Sequence, residues 1–155
     1  MAALRFPRVD RLSAADWLLL TEALIVLGWA SLAIRTMPFR RLAASASRPR
    51  APARGRGSPP AKIRWAVEAW ARRVPWKAVC FQRGLAAHVM LRRRGMNSIL
   101  HYGVARKEEQ GLSAHVWVSL NGTILLGGHE APDFICLASF PAAPYEPNCY
   151  DCGGF

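Results

Sequence analysis

"AHVWVSLNGTILL", residues 114–126, decides the fold of this chain. Its first seven residues alternate in polarity, which predicts a strand with aliphatic residues on the core face and His115, Trp117 and Ser119 on the other. Asn121-Gly122 follows and is the strongest short signal for a two-residue hairpin turn. The last four residues form the returning strand. The stretch therefore predicts an antiparallel hairpin.

The hairpin is flanked by further strands and preceded by helices. "SILHYGVA" (98–105) and "FICLASF" (134–140) predict two more strands. Residues 62–74 have apolar residues at helical spacing. Residues 80–94 predict a second helix with arginines in its last turn, and Gly95 follows as its C-cap. This order predicts an α+β domain, with helices packed on a small antiparallel sheet.

The first 60 residues are organised differently. A helix is predicted over residues 13–34, with Ser13 as its N-cap and the segment before Pro38 as its end. "AASASRPRAPARGRGSPP" (43–60) has no apolar period and is interpreted as a linker. The predicted organisation is a helical extension, a flexible linker, a compact domain and an irregular tail, at residues 1–42, 43–60, 61–141 and 142–155.

Composition limits the classes of partner. The chain has 155 residues, 52% hydrophobic, and a formal net charge of +11, so it can form a core and attract polyanions. Much of the charge is arginine, some of it in the linker, and no RNA-binding signature is present, so no nucleic-acid partner is expected. The opening "MAALRFPRVDRLSAADW" has no secretory h-region, and cysteines are few. We therefore expect a reducing, cytoplasmic location.

One apolar stretch bears on membrane contact. "WLLLTEALIVLGWASLAI" (17–34) approaches the length of a span, but Glu22 lies within it, and a buried carboxylate opposes insertion. Three interpretations remain open for residues 13–34. The segment is a helix of a soluble protein with one broad apolar face, or it lies on a membrane surface with Arg35, Arg40 and Arg41 at the lipid headgroups. The third and least favoured interpretation is a membrane span.

Cys80 is the candidate nucleophile. A thiolate is favoured at the N-terminus of a helix, where Cys80 is predicted to lie, although a lone cysteine is as readily an inert core thiol. A nucleophilic cysteine also needs a base. His88 lies two turns along the same helix, about 12 Å away by helical rise, which is too far. His101 is on the first strand, and His115 opens the second on its polar face, so His115 is the candidate base.

The local motifs together resemble one family. "AVCFQRGLAAHVMLRRRG", "HYGVA" and "AHVWVSLNG", with "WAVEAWARRVPW" before them, closely resemble the lasso-peptide leader peptidases. This is a transglutaminase-like family, also called the microcin-processing C-terminal domain. The resemblance covers residues 62–140, and the N-terminal stretch is similar to the helical extension of these proteins. It implies a transglutaminase/papain-like fold.

The resemblance also implies a function. It implies a cysteine protease that removes the leader from a ribosomally synthesised lasso precursor peptide, without a cofactor or metal. Cys80 would attack the scissile carbonyl, and His115 would act first as base and then as acid. An ATP-dependent lasso cyclase would act next. Because the first 60 residues read as one helix and a linker, we expect the leader-recognition domain to be a separate protein.

The sequence departs from the family pattern at the third catalytic position. The family has an aspartate about a dozen residues after the histidine. Here a two-residue turn places His115 opposite Gly128, and Gly127 and Gly128 have no side chain. Glu130 and Asp133 are the nearest acids that could orient His115, although an asparagine or a backbone carbonyl also serves in such a role. A Cys80–His115 dyad is the prediction.

Several other residues have open interpretations. Trp76 is a core aromatic or a donor to the oxyanion, and His129 is interpreted as a loop histidine. The arginine run 92–94 is a solvated helix end or a contact for an acidic leader. Cys149 and Cys152 match half of a zinc site or a redox pair, but no second pair accompanies them, so no metal is expected.

Two other functions remain open. The fold could serve an acyl transferase that delivers the acyl group to an amine. Alternatively, the chain is a non-catalytic basic binding module with an incidental Cys80, which predicts salt-dependent binding to polyanions.

Overall fold

A computed structural model describes residues 12–48, 58–107 and 111–142. Four helices, α1 to α4, precede the sheet within these ranges: Ala14–Thr36, Phe39–Ser47, Pro60–Ala71 and Cys80–Arg93. Four strands, β1 to β4, follow: Ser98–Lys107, Gly111–Leu120, Thr123–Leu126 and Ile135–Phe140. A short 3-10 turn, Ala131–Asp133, lies between β3 and β4. The predicted α+β class is confirmed, and three predicted strands extend or shorten by a few residues.

The sheet has the order β3-β2-β1-β4, and every neighbouring pair is antiparallel. The predicted hairpin is confirmed, because Leu120 pairs with Thr123 across the turn. Asn121 and Gly122 both have positive φ, as this turn type requires. A bulge between Val118 and Ser119 then shifts the register, and the ladder ends at the pair Val118–Leu126.

Helix α1 begins and ends as the sequence predicts. The Ser13 hydroxyl accepts from the backbone N–H of Asp16, and the Asp16 carboxylate accepts from the backbone N–H of Ser13. Lys62 on α3 forms an ion pair with Asp16 at 2.6 Å. Chiefly through its hydrogen bond with Lys62, the pKa of Asp16 falls to about 2. The cap therefore joins α1 to α3.

One hydrophobic core joins α1, α3, α4 and the inner face of the sheet. Leu27, Ile63, Val67 and Met90 are fully buried within it. The indole N–H of Trp70 also donates to the Leu20 carbonyl at 2.9 Å. The N-terminal helix is thus packed into the same core as the site-bearing helix α4.

Gly84 allows α4 to lie close to the sheet. A Cβ atom at this position would approach Val116 Cγ1 to 2.7 Å and Leu100 Cδ1 to 3.2 Å. Any side chain there would push α4 away from β1 and β2. The absence of a side chain at Gly84 therefore fixes the distance between the N-terminus of α4 and β2.

The structure differs from the sequence analysis at the linker. Residues 39–47 form α2, so the segment interpreted as a linker from residue 43 begins as helix. Leu42 and Ala46, one turn apart on α2, are buried in the core. Residues 49–57 and the tail beyond residue 142 lie outside the described residues.

The arginine run 92–94 makes contacts within the protein, and of its side chains Arg93 remains exposed. Arg93 and Arg94 both pair with Glu22 on α1, and the Arg92 guanidinium donates to the Arg48 carbonyl. These contacts tie the C-terminus of α4 to α1 and to the end of α2. They also neutralise the carboxylate within the apolar stretch of α1.

Helix α1 is long and apolar enough to cross a membrane by length and composition, and 44% of its most apolar window is buried inside the protein. A buried core helix passes the same test. Its outward side carries a stripe of large apolar residues, Leu18, Ile25, Trp29 and Leu32. One face of α1 is therefore core, and the opposite face is apolar and exposed.

Two of the four histidines have structural roles. His88 bonds to the Ala46 carbonyl and to Ser98, at 3.0 Å each. His101 bonds to Ser119 at 2.7 Å and to Ser139 at 3.0 Å, so its two ring nitrogens bridge β2 and β4. Both rings are buried.

Candidate active site

Cys80 is the first residue of α4. Val79 caps the helix without any side-chain oxygen, and the Gln82 side chain accepts from the backbone N–H of Val79. The N–H groups of the first turn have no acceptor inside a helix. Those of Cys80 and Phe81 have no bonded acceptor among the described residues either, so neither donor is satisfied there.

A cavity of about 210 Å³ opens beside Cys80. Helices α3 and α4, strand β2 and the segment after β3 all contribute to its wall. The lining residues are Arg64, Glu68, Cys80, Arg83, His115, Val116, Leu126, Gly127, Gly128, His129 and Glu130. The cavity thus brings together three of the four predicted site residues, Cys80, His115 and Glu130.

The His115 ring is held by the main chain. Its Nε2 lies 2.9 Å from the Gly127 carbonyl oxygen. A carbonyl oxygen can only accept, so Nε2 carries the proton. In the neutral imidazole the other nitrogen, Nδ1, then has a lone pair and can accept a proton. The Gly127 carbonyl therefore selects the tautomer in which Nδ1 is the base.

Aromatic neighbours hold the plane of the His115 ring. Trp117 lies nearly parallel to it with ring centroids 6.1 Å apart, and Phe134 packs at 5.1 Å. Trp117 and Phe134 are both fully buried in a second, smaller core on this side of the sheet. With 5% of its surface exposed, His115 has little freedom to turn away from Gly127.

Gly127 fits this role only as glycine. Its φ is +78°, a left-handed conformation that disfavours side chains. A Cβ atom would lie 2.8 Å from the Val116 carbonyl oxygen and 3.1 Å from Trp117 Cα. Gly128 was predicted to lie opposite His115, but the β2–β3 ladder ends at Val118–Leu126, so His115 has no partner on β3 and pairs with Gly103 on β1 instead. Gly127 instead turns its carbonyl towards the ring.

Glu130 and Asp133, the two candidate orienting acids, are placed differently. The Glu130 carboxylate lies 3.8 Å from His115 Nδ1, too far for a hydrogen bond, and the Glu130 side chain is 59% exposed. The Glu130 carboxylate therefore lies on the Nδ1 side of the ring, whereas the Gly127 carbonyl binds Nε2. Asp133 is exposed in the 3-10 turn and does not line the cavity. Neither acid occupies the orienting position on Nε2.

Trp76 does not face the cavity. Its indole N–H donates to the Ser31 hydroxyl on α1 at 2.9 Å. The interpretation of Trp76 as a structural aromatic agrees with this contact, and the oxyanion role has no support from it. His129 lies exposed in the cavity wall, in the turn after β3.

The sequence analysis missed three charged residues of the cavity wall. Arg64 and Glu68 on α3 pair with each other at 3.1 Å. Arg83 lies one turn after Cys80 on α4, and its Nε is buried without a hydrogen-bond partner among the described residues. The spacing of Arg83 from Cys80 was the one available signal, because residues three apart share a helix face.

No group of three or more metal-ligating side chains comes together in residues 12–48, 58–107 and 111–142. Cys149 and Cys152 lie outside these ranges. Cys80 and Cys136 are both free thiols.

The comparisons with known proteins agree with this architecture. The transglutaminase-like superfamily matches residues 20–135, which is most of the chain. The match begins inside α1 and ends at the first residue of β4, so it covers most of α1, helices α2 to α4 and strands β1 to β3. No curated protein and no solved structure matches the chain.

Proposed function

The chain belongs to the transglutaminase-like superfamily, and from this premise we propose that it is a cysteine peptidase that removes the leader of a lasso precursor peptide. The superfamily match supports chemistry of the cysteine-protease or acyl-transfer type. One observation carries the finer proposal. Cys80 at a helix N-terminus and His115, held in one tautomer by Gly127, line the same cavity.

The proposed reaction starts with a proton transfer. His115 Nδ1 takes the proton of the Cys80 thiol, and the thiolate attacks the carbonyl carbon of the scissile peptide bond. The Gly127 carbonyl accepts the Nε2–H of the resulting imidazolium throughout. This hydrogen bond is to a charged donor and is therefore stronger than the one to the neutral ring.

The tetrahedral intermediate places a negative charge on the carbonyl oxygen. The open backbone N–H groups of Cys80 and Phe81 at the start of α4 are the donors that would stabilise it. His115 then gives its proton to the leaving amine, and a thioester to Cys80 remains. Water, activated by His115, hydrolyses the thioester and restores the thiol.

The partners follow from the same proposal. A separate leader-recognition protein presents the leader of the precursor, and an ATP-dependent lasso cyclase receives the released core peptide. The resemblance described above supports these partners. We propose that removal of the leader takes place in the cytoplasm.

Peripheral membrane contact through residues 13–34 is also proposed. The exposed stripe of α1 supplies the apolar surface, and Arg35, Arg40 and Arg41 are exposed near the C-terminal end of the helix. The two acids of α1, Asp16 and Glu22, are both paired with basic residues. No unpaired carboxylate on α1 therefore opposes an anionic lipid surface.

The test is cleavage of the precursor. The purified protein is mixed with the precursor peptide and the recognition protein, and the products are weighed by mass spectrometry. Wild type should yield a leader and a core of complementary mass, and Cys80→Ala and His115→Ala should yield neither. An uncut precursor with all partners present would refute the peptidase, and cleavage by Cys80→Ala would refute the nucleophile.

The acyl transferase is the second candidate, because the thioester can pass to an amine as well as to water. Adding glycinamide to the reaction separates the two. A core or leader bearing the added amine as the main product would favour transfer, and unmodified acid would favour hydrolysis. A basic binding module would instead show salt-sensitive binding that Cys80→Ala leaves unchanged.

A further inference from the structure

Arg83 is a charged side chain of the cavity with no counter-ion. Its Nε is buried, and the guanidinium forms no hydrogen bond or ion pair with the described residues. A buried donor without a partner is costly, and a charged one more so. Such a group is stabilised when a ligand that fills the cavity supplies an acceptor.

Two acids line the cavity, and neither pairs with Arg83. Glu68 on α3 pairs with Arg64 at 3.1 Å, and the Glu130 side chain is 59% exposed and lies 3.8 Å from His115 Nδ1. The other wall residues carry no carboxylate. The positive charge of Arg83 is therefore not paired with any carboxylate of the described cavity wall.

We propose that Arg83 binds a carboxylate of the substrate peptide, so that the protein selects a scissile bond next to an acidic residue. The inference rests on the proposed peptidase function, which it makes more specific. A guanidinium presents paired N–H donors that match a carboxylate in geometry. Arg83 follows Cys80 by three residues, or about 4.5 Å of helical rise, so the carboxylate belongs within about two residues of the scissile bond.

Alkylation of Cys80 tests the site without any peptide. The thiolate displaces iodide from iodoacetate or from iodoacetamide, forming a carbon–sulfur bond in both cases. The two reagents are similar in size, but only iodoacetate is an anion. Peptide mapping by mass spectrometry separates Cys80 from the other three cysteines, and the ratio of the two rate constants measures attraction of an anion to the cavity.

Arg83→Gln should lower the iodoacetate rate about fivefold or more and change the iodoacetamide rate by less than about twofold. Arg83→Met, which retains the packing of the aliphatic stem, should do the same if Arg83→Gln does not fold. Arg83→Lys should keep most of the preference. Arg72→Gln, which removes an exposed arginine outside the cavity, should leave both rates unchanged.

Two outcomes overturn the inference. If both reagents slow equally, Arg83 acts on the Cys80 thiolate rather than on the ligand. If the ratio does not change, Arg83 attracts no anion. His115 is present in both the wild type and Arg83→Gln, so any effect of its charge on the iodoacetate-to-iodoacetamide rate ratio is common to the two proteins.

Peptide cleavage supplies the second arm. Precursors in which the acidic residues flanking the cut are changed to their amides should lose about fivefold or more in kcat/KM with wild type and nothing with Arg83→Gln. A precursor cut where no carboxylate lies within two residues overturns the inference while the peptidase stands. An uncut precursor with an intact alkylation difference refutes the peptidase while the anion site stands.

Discussion

Gly127→Ala is the sharpest test of how His115 is positioned. Alanine in the left-handed conformation at φ +78° costs about 1–2 kcal/mol. Its Cβ would also lie 2.8 Å from the Val116 carbonyl oxygen, which is closer than real Cβ contacts allow. Residue 127 must therefore move by roughly 0.5 Å, and the free energy of unfolding should fall by about 2–4 kcal/mol in total.

The displaced carbonyl lengthens or breaks its bond to His115 Nε2, now 2.9 Å long. A hydrogen bond to a group that becomes charged contributes about 1.5–3 kcal/mol, which corresponds to a fall in kcat of about 10- to 100-fold. KM should change less than kcat, because the Gly127 carbonyl bonds to the base His115. Precursor cleavage measures the rates, and long-range proton–nitrogen spectra of the imidazole show whether Nε2 still carries the proton.

Gly122→Ala is the matched control. Gly122 also has positive φ, at +80°, but a Cβ atom there meets no atom within 4 Å. Gly122→Ala should lower the free energy of unfolding by about 1 kcal/mol and leave kcat unchanged. A folded Gly127→Ala protein with kcat within about twofold of wild type would refute the positioning of His115 by the main chain.

Three further predictions concern charge and surface. Glu130→Gln should lower kcat/KM by no more than about fivefold, because an exposed ion pair contributes about 1 kcal/mol or less. Asp133→Asn should leave kcat/KM unchanged. A hundredfold loss of kcat/KM in either variant would identify that residue as the acid that orients His115. Asp16→Asn should lower Tm at neutral pH, and the difference in Tm from wild type should close as the pH falls from about 4 to about 2. The reason is that the pKa of Asp16 is lowered, so the contribution of this carboxylate to stability is fully present above the unfolded pKa of 3.8 and is lost near pH 2. A difference in Tm that stays constant across this range would contradict the prediction. Trp29→Ser should reduce the fraction of the protein that sediments with anionic vesicles, because it removes a large apolar residue from the exposed stripe of α1. Equal sedimentation of the variant and the wild type would exclude this stripe as the membrane contact.

Most of the sheet and of the dyad could be predicted from local patterns. Alternation and the Asn121-Gly122 turn specify β2 and β3, and the capping pair Ser13 and Asp16 specifies the start of α1. These features act over a few residues, so a single sequence contains them. The position of His115 on the polar face of β2 favoured it over the other histidines, and the family resemblance supported the same choice.

The missed features depend on contacts between distant segments. Helix α2 is short and continues into a segment rich in Pro, Arg and Gly, and it is held by burial of Leu42 and Ala46 in a core formed with elements that follow much later. The bulge after Val118 changes the pairing of β2 with β3, and the left-handed conformation of Gly127 turns its carbonyl towards His115. Alternation of polarity along the strands predicts neither feature. The atom that holds His115 is the Gly127 carbonyl oxygen; a backbone carbonyl was among the alternatives, but every residue has one, so residue type could not identify which carbonyl it is.

That backbone partner has a consequence for the pH dependence of the enzyme. A carboxylate that orients a histidine gains a proton in acid and then loses its hold on the ring, which adds an ionisation to the rate profile. The Gly127 carbonyl has no proton to gain. The main-chain contact that orients the His115 ring therefore stays in place over a pH range in which a carboxylate in the same position would lose its charge.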